Sequence, residues 1–333
     1  SGGVTFSDAI NADTVTLTDT TGSVTFAGSV DLETLNTADQ TYNVILNGSS
    51  NAITDAVTFS NTGYVTLVSG GNTSVFTGGV TAAIPSQINI GGTVQSTNTA
   101  IVLGASGSHV IVLTANSTIT GNTSGAISLN GTVNGAYTLT LNTTAATTFA
   151  ATVGNSAPLT AITTNSGGTV VFNTTAIETN GNQVYGENAT LGGNITFTTG
   201  DNDLTFSGTL ISDSTTRTLD IVAGSGDTTF SDAVGGSAAL GNTTIGTAAL
   251  DATAIKVQGT LAITNSGAGA ITGIISNGSS AAIITKAGAG TLTLSGDNTY
   301  TGATTVNAGV LAITHADALG GTGGATTIVS GAA

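Results

Sequence analysis

The feature that most constrains this chain is an alternation that never stops: short runs of β-branched and apolar residues follow one another from end to end, each halted by a turn. Val4-Thr5-Phe6, Val15-Thr16-Leu17, Val24-Thr25-Phe26, Val44-Ile45-Leu46, Val57-Thr58-Phe59 and Val65-Thr66-Leu67 open the series. One strand arrives every ~9–12 residues, in the period-two pattern of a half-buried β-strand. Taking one strand per coil, Phe6, Phe26, Leu46, Leu67, Ile88 and Val110 recur at intervals of about 20 to 22 residues, a spacing that predicts a solenoid. A coil of that length cannot bury its apolar face alone, so it stacks on its neighbours. Whole phrases recur too: VTFSDAI at 4–10 returns as TTFSDAV at 228–234, as duplicated coils would leave them. Coils of ~21 residues stacked at ~4.8 Å predict an all-β fold of about 16 coils and a rod of about 75 Å, with strands running parallel.

The pattern is clearest in 286–320, KAGAGTLTLSGDNTYTGATTVNAGVLAITHADALG. Leu292 and Leu294 alternate with Thr291, Thr293 and Ser295; Val306, then Leu311 and Ile313, continue the alternation. Gly296, Asp297, Asn298 and Gly302 interrupt it, residue types that accept left-handed backbone or bond their own main chain in turns. This stretch closely resembles the autotransporter-associated β-strand repeat of Gram-negative passenger domains and large surface adhesins. The residues carrying the likeness are Gly288, Gly290, Leu292, Leu294, Gly296, Asn298, Tyr300, Gly302, Thr304, Val306, Gly309 and Leu311, followed by Leu319-Gly320. The resemblance implies a right-handed parallel β-helix, extracellular or on the outer surface of a Gram-negative cell, serving as a fibre or adhesin stalk. It implies no chemistry, so the expectation is a non-enzymatic structural protein.

Composition agrees with a thin, long core. Only 6% of the 333 residues are charged, 39% are hydrophobic, and Val, Ile and Thr suit pleated surfaces. The formal charge of −15 rests on 18 acidic residues against Arg217, Lys256 and Lys286. Without clustered cations the chain is not expected to bind nucleic acid or anionic lipid. No apolar run reaches the ~20 residues of a membrane span, and no cysteine provides a disulfide or a thiol nucleophile. No Met and no capped end is visible, since Ser1 to Phe6 opens in a strand pattern and Ala325 to Ala333 closes in one. The expectation is therefore one continuous solenoid, 1–333, excised from a longer exported product, or stacked on copies of itself end to end. Partners would be self, flanking coils, or a host or neighbouring cell surface.

Chemistry-bearing residues are few. His109, beside Ser108, and His315, near Asp317, could suggest a Ser-His-Asp arrangement, but sequence neighbours on a strand point to opposite faces. A polysaccharide hydrolase needs paired carboxylates, and Asp201, Asp203 and Asp213 form the densest acidic group. The same three could hold calcium with nearby carbonyls. Thr-x-Thr pairs at Thr118/Thr120, Thr138/Thr140 and Thr291/Thr293 resemble ice-binding solenoid faces. Tyr42, Tyr64, Tyr137, Tyr185 and Tyr300, taken as exposed, are the polar-tipped aromatics available for sugar contact.

Overall fold

The computed structural model describes residues 2–18 and 21–333; Ser1, the first residue of the opening pattern, lies outside them. Among the described residues there is no helix, and every strand pairing is parallel. The fold is a β-solenoid of about 15 turns. The count falls below 16 because coils are uneven: partners sit 18 residues apart at Thr243 and Leu261 but 26 apart at Ile101 and Ile127.

Most strands are short because alternation usually lasts only a few residues before Gly, Asn, Asp or Ser turns the chain, while Tyr64–Phe76 and Gln87–Ser96 run longer. In Ile101–Leu103 and Ile127–Leu129 the outer two residues are buried and the middle one is not, so each coil contributes its apolar residues to one interior. Full burial of such a side chain stabilises by about 1.5–3 kcal/mol. Where the sequence runs in one unbroken pattern, the fold divides into two compact units, Ser1–Val170 and Val171–Ala333.

In the first unit the strands form three faces. One inward column runs Val24, Val44, Val65, Ile88, Ile111 and Val133, each residue in register with the next. A second runs Val30, Asn51, Ser74, Val94, Ile119 and Leu141. Its two polar members bond inside the stack, Asn51 donating to Ser74 Oγ at 2.9 Å and Ser74 to the Leu67 carbonyl at 2.6 Å, while Asn51 Oδ1 is buried without a partner. The third face stacks Val57, Val80, Ile101 and Ile127.

The 20-to-22-residue ladder read from the sequence holds from Phe6 to Phe26 to Leu46 and then slips. Ile88 lies opposite Val65 rather than Leu67, and Val110 lies opposite Gln87. The cause is a bulge in Tyr64–Phe76, where consecutive Leu67 and Val68 are both buried and the register shifts.

The second unit has a more aromatic interior. Tyr185, Phe206 and Phe230 stack coil upon coil, with ring centroids 4.9 and 5.6 Å apart, and the column continues through Ala252, Ile271 and Leu294. Phe197 meets Phe206 edge to face at 5.4 Å. A neighbouring inward column reads Ile177, Phe197, Ile221, Ile245, Ile263, Lys286, Val306. Its one charged member, Lys286, is the first residue of the sharpest repeat in the sequence.

Candidate functional site

Around that repeat, side chains hold coil to coil. Asn298 is buried; its Oδ1 accepts the Ile275 amide at 2.7 Å, and its Nδ2 donates to the Ala318 carbonyl at 2.6 Å. One side chain therefore ties its own turn to the coil before and the coil after. Tyr300 is also fully buried, with its hydroxyl 2.7 Å from Thr304 Oγ1. Leu292, Leu294, Thr304 and Val306 point inward, and Leu311 pairs with Leu292. Gly288 and Gly309 adopt φ of +77° and +70°, a region that favours glycine, and a Cβ on Gly288 would lie 2.3 Å from the Asn265 carbonyl oxygen. Gly290, Gly296 and Gly302 are equally tight against the backbone of the preceding coil.

Lys286 is wholly buried, and its ammonium donates to the carbonyls of Ala287, Gly288 and Ala308 at 2.7, 3.0 and 3.2 Å. All three donors of the ammonium are thereby engaged. Removal from water nonetheless holds its pKa below the usual lysine value.

The acidic trio does not converge. Asp201, in a left-handed turn with φ of 67°, accepts the Ser225 amide, and Asp203 accepts the Asp227 amide. Asp213 is gripped by Arg217 through Nε at 3.0 Å and Nη2 at 2.7 Å, which holds its carboxyl below the usual range. Asp201 and Asp203 thus each hold the following coil while Asp213 holds an ion pair, and the three do not bring their ligand atoms together. Among the described residues the side chains that do converge are Asp297, His315 and Asp317, all exposed, with His315 Nδ1 accepting the Asp317 amide at 3.1 Å. His109 pairs locally, 3.4 Å from Ser106 Oγ.

Three of the five tyrosines expected at the surface are in the core. Tyr42, Tyr185 and Tyr300 are at most 1% exposed, because the ring fills the interior while the hydroxyl finds the Ala38 amide, Gln183 Oε1 and Thr304 respectively. Tyr137 is exposed and Tyr64 half-buried. The Thr118/Thr120 pair stands on an outward column of Thr73, Thr93, Thr118 and Thr140, but its neighbouring column reads Val75, Gln95, Thr120, Asn142. A double threonine array is not repeated coil by coil there.

The second unit also carries a polar recess of about 360 Å³, bordered by Asp213, Ser214, Ser237, Lys256, Gln258 and Ser279. Gln258 braces it, bonding Thr216 through Nε2 and accepting the Ser279 amide at 3.0 Å.

Residues 284–313 match the passenger-associated-transport-repeat family. The coil clamp built by Asn298, Tyr300 and the tight glycines is thus the transport repeat itself. No curated protein and no solved structure matches the chain. A parallel solenoid carrying a transport repeat fits an autotransporter passenger domain. The burial of Lys286, which falls inside the matched stretch, was missed by the sequence reading, which counted it only as an isolated cation. Parity could have found it: Ile284 and Lys286 are two apart on one strand and face the same way.

Proposed function

We propose that this chain is a coil-building segment of an exported bacterial surface protein, acting mechanically as a stalk or fibre that displays something else. The observation that carries the reading is the use of the transport repeat: its named positions hold turns, fill the interior or bridge neighbouring coils, as at Asn298. In a stacked repeat, stability sums over nearest-neighbour interfaces, so a long parallel stack resists local unfolding without disulfides. That suits a cysteine-free chain working outside the cell.

Self-stacking is the finer form of this proposal. It draws on the apolar surface that Val310, Ile313, Ile328 and Val329 leave exposed. The test is protease added to intact cells of the native source, read with an antibody against this segment. Loss of the segment while cytoplasmic markers survive supports export; full protection on intact cells, with cleavage only after lysis, overturns it. Sedimentation of the purified chain then separates the two forms, since particles growing with concentration mark self-stacking and a monomer at every concentration leaves a simple stalk.

A further inference from the structure

In a chain of net charge −15 with three cations, the polar recess of the second unit is bordered by one lysine and one carboxylate. The one carboxylate on its wall, Asp213, is neutralised by two hydrogen bonds from Arg217. Lys256 stands at the middle of Ile255–Val257, whose outer residues are buried, so its side chain leaves the sheet on the outer side. Its ammonium has a single contact, 3.3 Å to the Gly236 carbonyl, and among the described residues no ion-pair partner. An ammonium has three donors, so two remain for a ligand. At physiological salt the Debye length of about 8 Å screens the more distant acids, which leaves the local charge to decide.

The rest of the wall selects the ligand class. Hydroxyls of Ser214 and Ser237 line it, with the Ser279 hydroxyl bonded to Gln258 Oε1, and no aromatic or large aliphatic side chain does. That excludes a ligand held by its apolar surface. A volume of about 360 Å³ lies within the ~300–1,000 Å³ range of small-ligand sites, well beyond a bare anion. The wall is also braced before any ligand arrives, because Gln258 bonds both Thr216 and Ser279, residues far apart in sequence. We infer that this recess binds a carboxylated saccharide of the uronic acid type, with Lys256 on the carboxylate and the serine hydroxyls on the sugar.

The probe is tetragalacturonate, titrated calorimetrically into the purified chain beside a neutral galacto-oligosaccharide of equal length and sodium acetate. Expected is saturable binding of tetragalacturonate, at least about tenfold tighter than the neutral sugar, because a hydrogen bond to a charged group is the strong kind. Lys256→Gln brings it to the neutral level with an unchanged melting curve, and Ser237→Ala weakens it by about threefold. Binding by the unmodified chain weakens as salt rises, a readout that needs no variant. No saturable binding, equal binding of the neutral sugar, binding that survives Lys256→Gln in a folded chain, or insensitivity to salt each overturns the proposal. Acetate binding as tightly as the tetrasaccharide overturns it as well, by reducing the recess to an anion site.

Discussion

Two segments of the molecule carry nearly the same seven residues and end in different surroundings. In VTFSDAI, at 4–10, Val4 is 46% exposed and Phe6 is half-buried against Phe26, ring centroids 5.1 Å apart. In TTFSDAV, at 228–234, Thr228 and Phe230 are both buried. The local shape is shared, a three-residue strand followed by a Ser-Asp turn. What differs is the packing around each: Phe230 has Phe206 on one side and Ala252 on the other, while among the described residues Val4–Phe6 pairs with Gly22–Phe26. The word specifies strand and turn, and the stack specifies burial.

The comparison is broken most directly at the two phenylalanines. Phe230→Ala removes a ring packed between coils and is expected to cost about 3–5 kcal/mol, as large core truncations do. Phe6→Ala, at a half-exposed ring, should cost on the order of 1 kcal/mol. Urea denaturation of both variants reads the difference, and equal losses would show that burial in the stack does not set the cost. The next effect sharpens the same contrast with polar residues. Asn298→Ala leaves the Ile275 amide and the Ala318 carbonyl without partners, at about 1–3 kcal/mol for each buried group. Asn11→Ala loses only an exposed bond to Asp31 and should stay within about 0.5 kcal/mol of the parent. A shift in melting temperature for Asn11→Ala matching that of Asn298→Ala would deny the coil-bridging role.

These contrasts also show what could be read beforehand. Strands, turns and the solenoid follow from period-two patterning and glycine punctuation, which are local properties, and Gly288 to Leu311 could be recognised because each position repeats a local need. Register could not be read past Leu67, because a bulge that places Leu67 and Val68 both inside leaves the composition of the run unchanged. Tyr185 and Tyr300 were misplaced because polarity at the ring tip does not reveal whether a partner such as Gln183 or Thr304 waits in the core. The recess escaped notice for a related reason: Asp213, Lys256 and Ser279 meet only after separate coils are stacked.

The smallest expected effect moves the comparison from rings to a charge, and concerns Lys286. In the unfolded chain its ammonium titrates near the ordinary value of 10.5, while burial holds the folded value lower. Between those two values the unfolded chain carries more of the proton, so stability rises with pH there, and below the folded value the full desolvation penalty applies. The buried tyrosines act in the opposite sense. Tyr42, Tyr185 and Tyr300 have raised folded pKa values, so the unfolded chain ionises first above about pH 10 and stability falls. The parent curve alone therefore mixes two slopes. Subtracting the curve of Lys286→Met cancels the tyrosines and leaves the lysine, since methionine fills the same inward position without a proton to lose. The difference should climb toward the parent as pH approaches 10.5 and level off beyond it. A flat difference through that window would mean that the three carbonyls around the ammonium compensate fully for its lost water, and that burial separates the phenylalanines in this solenoid but not its charges.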